Sequence, residues 1–174
     1  MTDDISRRAQ GIKLLALDVD GVLTDGKLYF SNDGSEMKAF NTLDGHGIKL
    51  LRKSGVEVAI ITGRTSDLVA RRAKDLGITQ LVQGREDKLA ALHELLKDNA
   101  IELQAIAFMG DDYPDLTVMR RVGLAMTVAG ALPIMRENAH WQSQHRGGEG
   151  AVREACDFIM QAQGTYHRAL AEYL

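Results

Sequence analysis

The sequence predicts an α/β fold, in which helices cover both faces of a parallel sheet, and three observations lead to it. Short apolar runs alternate along the chain with longer segments of helical periodicity. Continuous apolar runs indicate strands that are buried on both faces. Glycine follows two of the helical segments, at Gly55 and Gly77, where a left-handed residue commonly ends a helix. Buried strands joined by helices are typical of parallel sheets, because parallel neighbours need a long crossover.

The predicted strands are short runs rich in apolar residues. The sheet strands are predicted at Leu14–Val19, Val56–Ile61, Gln80–Gln83, Ile106–Met109 and Leu124–Thr127. After the first of them, Gly26–Phe40 holds two alternating segments on either side of an Asn-Asp-Gly sequence. This pattern predicts a β-hairpin, because these residues favour tight turns between antiparallel strands.

The predicted helices lie between these strands and after the last one. They are predicted at Gly47–Ser54, Ser66–Leu76, Lys88–Asn99, Asp115–Arg121, Ile134–Asn138 and Val152–Gln163. The 174 residues contain two prolines and no repeat or linker, which fits one domain over residues 1–174. We therefore expect a three-layer, Rossmann-like parallel sheet with a hairpin flap after the first strand and no large cap domain.

Composition excludes several classes of function. The net charge of −3 gives no electrostatic basis for binding nucleic acid. No apolar run approaches the roughly 20 residues of a membrane span, and the first residues lack the apolar core of a signal peptide. Cys156 is the only cysteine, so the chain has no internal disulfide framework. We expect a cytoplasmic protein with no membrane or nucleic-acid partner.

The most informative motif lies at the end of the first strand. Asp18 and Asp20 flank Val19 and precede Gly21, and side chains two residues apart on a strand share a face. Neighbouring carboxylates repel each other unless a cation lies between them, and a divalent cation fits that need. A carboxylate at this position can also act as a nucleophile. The alternative is a simple Asp-Gly turn.

The strand at Val56–Ile61 is followed by residues suited to an anion. Thr62 and Gly63 precede a helix, so a hydroxyl and backbone N–H groups can surround an oxyanion. Arg64 adds a guanidinium group suited to a carboxylate or phosphate. A helix cap by Thr62 or Ser66 accounts for the same residues equally well.

A second acidic pair, Asp111 and Asp112, follows the strand at Ile106–Met109. Because ligands bind beyond the carboxyl ends of parallel strands, we expect this pair to meet Asp18 at one edge of the sheet. A cluster of carboxylates there would suit Mg²⁺, which prefers hard oxygen ligands. A lone lysine such as Lys88 is usually exposed to solvent on the surface. Beside such a cluster, however, it would neutralise negative charge.

These residue types suit the transfer of a phosphoryl group to an aspartate. Asp18 would attack phosphorus, and Asp20 would protonate the leaving oxygen and then activate a water molecule. Mg²⁺ would cancel the repulsion between Asp18 and the phosphate, while Thr62 and Lys88 would hold the transferring oxygens. Receiver domains of two-component systems use similar residues, but they lack the acid/base step that the second aspartate supplies.

In their order, spacing and placement, these motifs resemble those of the haloacid dehalogenase-like phosphatases. Asp18–Val22 matches the first motif, Thr62 the second, Lys88 the third and Gly110–Asp112 the fourth. The resemblance implies that Mg²⁺ is bound by Asp18, Asp20 (through its backbone carbonyl) and Asp111, with Asp112 in support.

Further segments resemble the cap-less branch that hydrolyses 3-deoxy-D-manno-octulosonate 8-phosphate (KDO 8-phosphate) in lipopolysaccharide biosynthesis. The likeness covers nearly the whole chain and is clearest at Asp18–Gly26, Asp44–Ile48, Ile60–Arg64 and Gly147–Glu154. It implies a homotetramer in which the hairpins of neighbours pair and neighbouring subunits complete each active site. It also implies that a C-terminal segment, about 147–174, closes over a neighbouring site.

The resemblance also implies a set of residues that bind a phosphorylated sugar acid. They are Asp20, Asn41, Thr42, Leu43, Asp44, Gly45, Lys49, Gly63, Arg64, Arg72 and Lys88. Lys49 stands where this branch carries arginine, so it keeps the charge but loses the bidentate fork. Two alternatives stay open: a phosphatase of a nine-carbon ulosonic acid 9-phosphate, and a non-catalytic phosphatase-like subunit. The complete acidic set argues against the second.

Overall fold

A computed structural model describes residues 2–97 and 100–174 of the chain. The strands are β1 (Leu14–Leu17), β2 (Tyr29–Phe30), β3 (Glu36–Met37), β4 (Glu57–Ile61), β5 (Gln80–Val82), β6 (Ile106–Met109), β7 (Leu124–Thr127) and β8 (Trp141–Gln142). The α-helices are α1 (Thr2–Gln10), α2 (Thr42–Lys53), α3 (Asp67–Asp75), α4 (Lys88–Leu95), α5 (Leu116–Met119), α6 (Pro133–Asn138), α7 (Ala151–Ala162) and α8 (Tyr166–Leu170). Short 3₁₀ turns occur at Leu103–Ala105, Tyr113–Asp115 and Ala171–Tyr173.

Six strands form one sheet in the order β5-β4-β1-β6-β7-β8, and every neighbouring pair is parallel. All four residues of β1 are buried, as expected of a strand covered on both faces. The chain runs outward from β1 to β4 and β5, then returns to β6 on the other side of β1. β1 therefore lies at the point where the strand order reverses, and ligands bind beyond such points in parallel sheets.

Helices cover both faces of the sheet, which confirms the predicted three-layer α/β fold. α1, α2 and α7 pack together, and α4 packs against α5. The crossover from β1 to β4 through α2 runs in the opposite direction to the one from β5 to β6 through α4. Right-handed crossovers place these two helices on opposite faces. The described residues form no large cap domain, as predicted.

Several element ends differ from those predicted. α2 begins at Thr42 rather than at Gly47, because the Asn41 side chain caps the helix by accepting the N–H of Leu43 at 2.8 Å. The helix predicted from Lys88 ends at Leu95, and the end predicted for it, residue 99, lies outside the described residues.

Some elements carry too little sequence signal to be predicted. β8 has only two residues at the sheet edge, α1 is mostly polar, and α8 has five residues. The helix predicted over Asp115–Arg121 is split into the 3₁₀ turn at Tyr113–Asp115 and the four-residue α5. This split matters for the site described below, because the turn orients a buried aspartate.

The predicted hairpin is confirmed as an antiparallel pair, β2 and β3, separate from the main sheet. It presents exposed apolar side chains, among them Phe30 and Met37. No helix of the described residues is long and apolar enough to cross a membrane.

The segment predicted to close over a neighbouring site begins inside this chain's own fold. The N–H of Gly148 donates to the Val22 carbonyl at 3.1 Å, and a Cβ on Gly147 would lie 1.8 Å from the Gly21 carbonyl oxygen. α7 then buries its apolar face against α2. The residues of this segment up to the end of α7 therefore pack against their own chain, and its closure over a neighbouring site stays a prediction.

Candidate active site

The carboxyl ends of β1, β4 and β6 open into one cleft of about 530 Å³. Three of the predicted motifs end these strands, and the parallel register brings them to the same edge of the sheet. The cleft is lined by Asp18, Asp20, Gly26, Thr62, Gly63, Arg64, Glu86, Lys88, Asp111, Asp112, Pro114 and Asp115.

A buried lysine joins two carboxylates at the floor of the cleft. The Lys88 Nζ lies 2.8 Å from Asp18 Oδ1 and 2.5 Å from Asp115 Oδ1. Lys88 is 4% exposed, Asp18 7% and Asp115 0%. Burial lowers the pKa of the Lys88 ammonium, but the two carboxylates outweigh it and the pKa is raised overall. Lys88 is therefore a charged member of the cluster and not the surface group that a lone lysine suggests.

Asp111 adds a third carboxylate beside Asp18. Oxygens of Asp18, Asp111 and Asp115 lie within 4.8 Å of one another, and Asp111 Oδ1 is buried without a hydrogen-bond partner. Burial, together with repulsion from Asp115, raises the pKa of Asp18 to about 7. Burial, together with repulsion from Asp18, raises the pKa of Asp111 to about 7. A cation among these oxygens would relieve the repulsion, and hard carboxylate ligands fit Mg²⁺.

Asp115 is a site residue that the sequence analysis did not single out. Its Oδ1 accepts from Lys88, and its Oδ2 accepts the backbone N–H groups of Asp111 at 3.0 Å and Asp112 at 3.2 Å. The signal that would have found it is a third aspartate four residues after Asp111. Asp115 thus fixes both the lysine and the backbone that carries the acidic pair.

Asp112 occupies the edge of the cleft and not its floor. It is exposed, and its Oδ1 accepts the N–H of Tyr113 at 2.7 Å, which caps the 3₁₀ turn. The described carboxylates that share a cation-sized space include Asp115 and exclude Asp112. Its predicted support of a metal stays a prediction.

Gly21 allows the loop after β1 to approach Asp111. Its φ is +92°, and a Cβ there would lie 2.1 Å from Asp111 Oδ2. Glycine adopts this conformation without the strain that a side chain would add. The glycine of the first motif is therefore required by the packing of the first and fourth motifs.

Asp20 is held from two sides by cations on different elements. The Lys38 Nζ, on the hairpin, donates to Asp20 Oδ1, and the Arg64 Nε lies 3.7 Å from Asp20 Oδ2. Glu36 accepts from Arg64 at 3.1 Å and lies 3.7 Å from the Lys38 Nζ. Lys38 and Glu36 were not predicted as site residues, because nothing in a polar hairpin strand marks its contacts.

Thr62 lies buried at the end of β4, with its hydroxyl directed along the loop that follows. Its Oγ1 accepts the N–H of Arg64 at 3.4 Å, and Gly63 is exposed to the cleft. Ser66 makes no side-chain cap of α3. The anion-binding and loop-capping interpretations of Thr62 are both compatible with this geometry.

The other predicted substrate-binding residues do not line this cleft. Arg72 donates to the Asn41 carbonyl at 3.0 Å, with its guanidinium 5.7 Å from the Phe40 ring centre. The exposed side chains along α2 include those of Thr42, Leu43 and Lys49. These side chains do not line the cleft of their own chain, so a ligand that contacts them must lie outside that cleft.

Asp44 and Gly45 are buried in the first turn of α2. Asp44 Oδ1 accepts the N–H of Arg153 at 2.8 Å, so this carboxylate caps the start of α7, where Gly150 has no side chain to do so. Burial raises the pKa of Asp44. The Arg72 guanidinium covers Gly45, where an added Cβ would lie 2.2 Å from Nη2. This placement gives Asp44 a structural contact and does not support its predicted contact with substrate.

Comparisons with known proteins agree with this geometry. The haloacid dehalogenase-like hydrolase family matches residues 77–154. The KDO 8-phosphate phosphatase KdsC of Yersinia pestis is 50% identical over 163 residues, which cover 94% of this chain and 87% of that protein. The enzyme of the same name from Escherichia coli K12 is 48% identical over 166 residues, covering 95% and 88%. The crystal structure of the Moraxella catarrhalis KDO 8-phosphate phosphatase, in complex with magnesium, phosphate and KDO, superposes with a TM-score of 0.98 at 42% identity and covers 100% of both chains.

Proposed function

The chain belongs to the haloacid dehalogenase-like hydrolases, in the family of KDO 8-phosphate phosphatases, and we propose that it hydrolyses KDO 8-phosphate to KDO and phosphate. The observation that carries the proposal is the buried cluster of Asp18, Lys88, Asp111 and Asp115 beside Asp20 at the end of β1. The reaction belongs to lipopolysaccharide biosynthesis, in the cytoplasm.

Mg²⁺ fits the residues of the cluster. Asp18, Asp111 and the backbone carbonyl of Asp20 would hold the ion, with Asp112 in support. The unpartnered Oδ1 of Asp111 and the raised pKa of two adjacent carboxyls support this assignment. When bound, the ion supplies the positive charge that lets an anionic nucleophile approach an anionic phosphate.

The first step is an in-line displacement at phosphorus. A carboxylate oxygen of Asp18 forms a bond to phosphorus while the bond from phosphorus to the sugar oxygen breaks. Asp20 gives its proton to that leaving oxygen, so the sugar departs as a neutral alcohol. Lys88 and Thr62, together with the backbone N–H groups around Gly63, bind the phosphoryl oxygens as charge develops on them.

The second step returns the enzyme to its starting state. Asp20, now a carboxylate, takes a proton from water, and the oxygen of that water attacks the phosphorus of the aspartyl-phosphate. The bond to Asp18 breaks and phosphate leaves. Asp20 thus acts as acid and then as base.

The substrate's sugar acid is bound beyond the phosphate. Gly63 and Arg64 lie at the mouth of this chain's cleft and would meet it directly. We assign Asn41, Thr42, Leu43, Lys49 and Arg72 to contacts that complete the site of a neighbouring subunit, because they lie away from their own cleft. The single domain over 1–174 would use its hairpin, about 26–40, to pair with neighbours and its last residues to close over a neighbouring site.

The proposed assembly is a homotetramer, and the exposed apolar face of the hairpin supports contact with another subunit. Phe30 is 65% exposed and Met37 63% exposed, and such apolar side chains on an isolated two-stranded unit favour burial against another subunit. Light scattering tests this proposal with Phe30→Asp, which we expect to lower the mass from four subunits to fewer without unfolding the chain. Asn32→Asp, in the exposed turn of the same hairpin, is the matched control and should leave the mass unchanged. A wild-type mass near that of one 19.1 kDa chain would contradict the proposal.

Phosphate release from three substrates tests the proposed reaction. KDO 8-phosphate, a nine-carbon ulosonic acid 9-phosphate and a neutral sugar phosphate are compared with Mg²⁺ and with a chelator. We expect turnover that needs Mg²⁺ and favours KDO 8-phosphate. Preference for the nine-carbon acid would keep the mechanism and change the substrate, whereas no turnover by folded protein would favour a non-catalytic subunit.

A further inference from the structure

The hairpin contacts Asp20 and Arg64, two residues that line the cleft, through alternate residues of β3 and its extension. Glu36 and Lys38 lie on the side that faces Arg64 and Asp20, while Met37 between them is exposed on the opposite side. This is the two-residue alternation of an extended strand. One short segment therefore presents an apolar face outward and two charged groups to the site.

Lys38 is buried in a way that a hairpin lysine seldom is. Its side chain is only 2% exposed, whereas the side chain of Lys27 on the same hairpin is 72% exposed. Burying an ammonium group is costly unless carboxylates pair with it. Asp20 makes that pairing by direct hydrogen bond, and Glu36 lies 3.7 Å away on the other side.

The two oxygens of Asp20 are in different surroundings. Oδ1 accepts from the Lys38 Nζ, whereas Oδ2 has the Arg64 Nε 3.7 Å away, beyond hydrogen-bond distance. The terminal torsion of an aspartate is broad and roughly two-fold, so an unrestrained carboxyl group exchanges its oxygens. The bond from Lys38 distinguishes them and leaves Oδ2 as the oxygen that can carry a proton into the cleft.

We propose that Lys38 is a positioning residue that holds the Asp20 carboxyl group with Oδ2 directed at the leaving oxygen. The inference rests on the proposed phosphatase reaction. In the first step the proton on Oδ2 passes to the sugar oxygen as its bond to phosphorus breaks, and Lys38 keeps its own protons throughout. A general acid is effective only when its proton lies within hydrogen-bond reach of the departing atom.

Comparing two leaving groups distinguishes a positioning role of Lys38 from a merely structural one, because a structural role would affect both substrates alike. A sugar alcohol departs poorly unless it is protonated, whereas p-nitrophenolate departs as a stable anion without a proton. The parameter kcat/KM covers steps only up to the departure of the leaving group, so the later hydrolysis of the aspartyl-phosphate does not affect it. Loss of positioning should therefore lower kcat/KM for KDO 8-phosphate selectively.

The test compares both substrates in Lys38→Met, which keeps the length of the side chain and removes its charge. We expect kcat/KM for KDO 8-phosphate to fall by about 10- to 100-fold, which reaches the lower end of the usual contribution of general-acid catalysis. We expect kcat/KM for p-nitrophenyl phosphate to change by less than about threefold. Lys27→Met is the matched control on the same hairpin and should leave both values unchanged. Lys38→Arg, which keeps a charged donor, should recover part of the loss.

A double-mutant cycle sharpens the test. In an Asp20→Asn background the acid is gone, so adding Lys38→Met should cause no further loss with KDO 8-phosphate. Thermal melting and light scattering establish that each variant is folded and assembled, and Lys38→Gln replaces Lys38→Met if the latter is not. An equal loss with both substrates, no loss, or additive losses in the cycle would overturn the inference. An inactive wild-type protein would instead refute the proposed function.

Discussion

The floor of the cleft and the hairpin that contacts Asp20 at its mouth hold the two halves of the proposed chemistry in different ways. The floor joins Asp18, Lys88 and Asp115 by contacts of 2.5–2.8 Å among residues at most 7% exposed, all anchored to the central strands and their helices. The mouth holds Asp20 through Lys38, on a two-stranded hairpin that lies outside the main sheet.

The difference separates what a single chain fixes by folding from what depends on a peripheral element. The proposed nucleophile and the groups proposed to bind phosphate belong to the core, which cannot move without losing buried contacts. The proposed acid, Asp20, is held by a strand with apolar side chains on its outer face. We expect changes to the floor to abolish the reaction and changes to the mouth to tune it.

The largest effect is expected at the floor, from Asp18→Asn. Removing the proposed nucleophile should lower kcat by at least about 10³-fold. When catalytic groups act as a unit, removing one of them costs nearly as much as removing all. The chain should remain folded, and without Mg²⁺ its melting temperature should not fall, because the neutral amide no longer repels its neighbours. Phosphate-release assays and thermal melting check both points, and full activity in this variant would refute the assignment.

The second largest effect is expected from Asp115→Asn, which tests how the floor holds Lys88. The change weakens the pairing of buried Lys88, and breaking a buried ion pair costs about 3 kcal/mol at the low end of the usual range. We expect kcat to fall by about 10²-fold, as for other groups that position catalytic residues. Asp75→Asn, which makes the same change at an exposed carboxylate at the end of α3 outside the cleft, is the matched control and should change kcat by less than about threefold. Equal effects of the two substitutions would contradict the role of Asp115 in holding Lys88.

Mg²⁺ should stabilise the floor in a pH-dependent way. The pKa values of Asp18 and Asp111 rise from 3.8 to about 7 in the metal-free protein. These two carboxyls then bind more protons in the folded state than in the unfolded state in that window, so their contribution to metal-free stability falls as pH rises from about 4 to about 7 and is constant above it.

Mg²⁺ must displace those protons, so it should raise the melting temperature more at about pH 8 than at about pH 5.5. At a concentration 100 times its dissociation constant it should add about 2.7 kcal/mol to the free energy of unfolding. Calorimetry with Mg²⁺ and with chelator measures both effects. A Mg²⁺ shift that is the same at both pH values would contradict the assignment of these carboxyls as ligands.

The smallest effect is expected outside both regions. Asp44→Ala removes the cap of α7 and should cost about 1 kcal/mol of unfolding free energy, the usual contribution of a capping side chain. Chemical denaturation measures this cost. A large loss of activity in a variant of unchanged stability would show that Asp44 contacts the substrate after all.

The sequence predicted the floor of the site better than its mouth. Asp18, Thr62, Lys88 and Asp111 follow or open regular elements, and the geometry of a parallel sheet dictates that such ends converge. The main strands and the hairpin were predictable because hydrophobic periodicity and turn residues report local structure.

What the sequence could not reveal depends on tertiary contacts. Asp115 and Lys38 look like ordinary surface residues until burial and pairing give them a role. Asp44 and Arg72 make contacts inside the fold, to Arg153 and to Asn41, which their predicted role in binding substrate did not indicate. Charged residues carry no mark in sequence of whether their partner is a ligand or another part of the chain.

The most direct test of the two-part account uses Asp20→Asn with p-nitrophenyl phosphate and Mg²⁺. The first step needs no acid with this substrate, whereas the second step has lost its base, so phosphorylated enzyme should accumulate. The account predicts a burst of one p-nitrophenol per active site, followed by slow turnover, and mass spectrometry should locate the phosphoryl group on Asp18. Steady turnover by Asp20→Asn at the wild-type rate without a burst would contradict it, and so would a phosphoryl group on another residue.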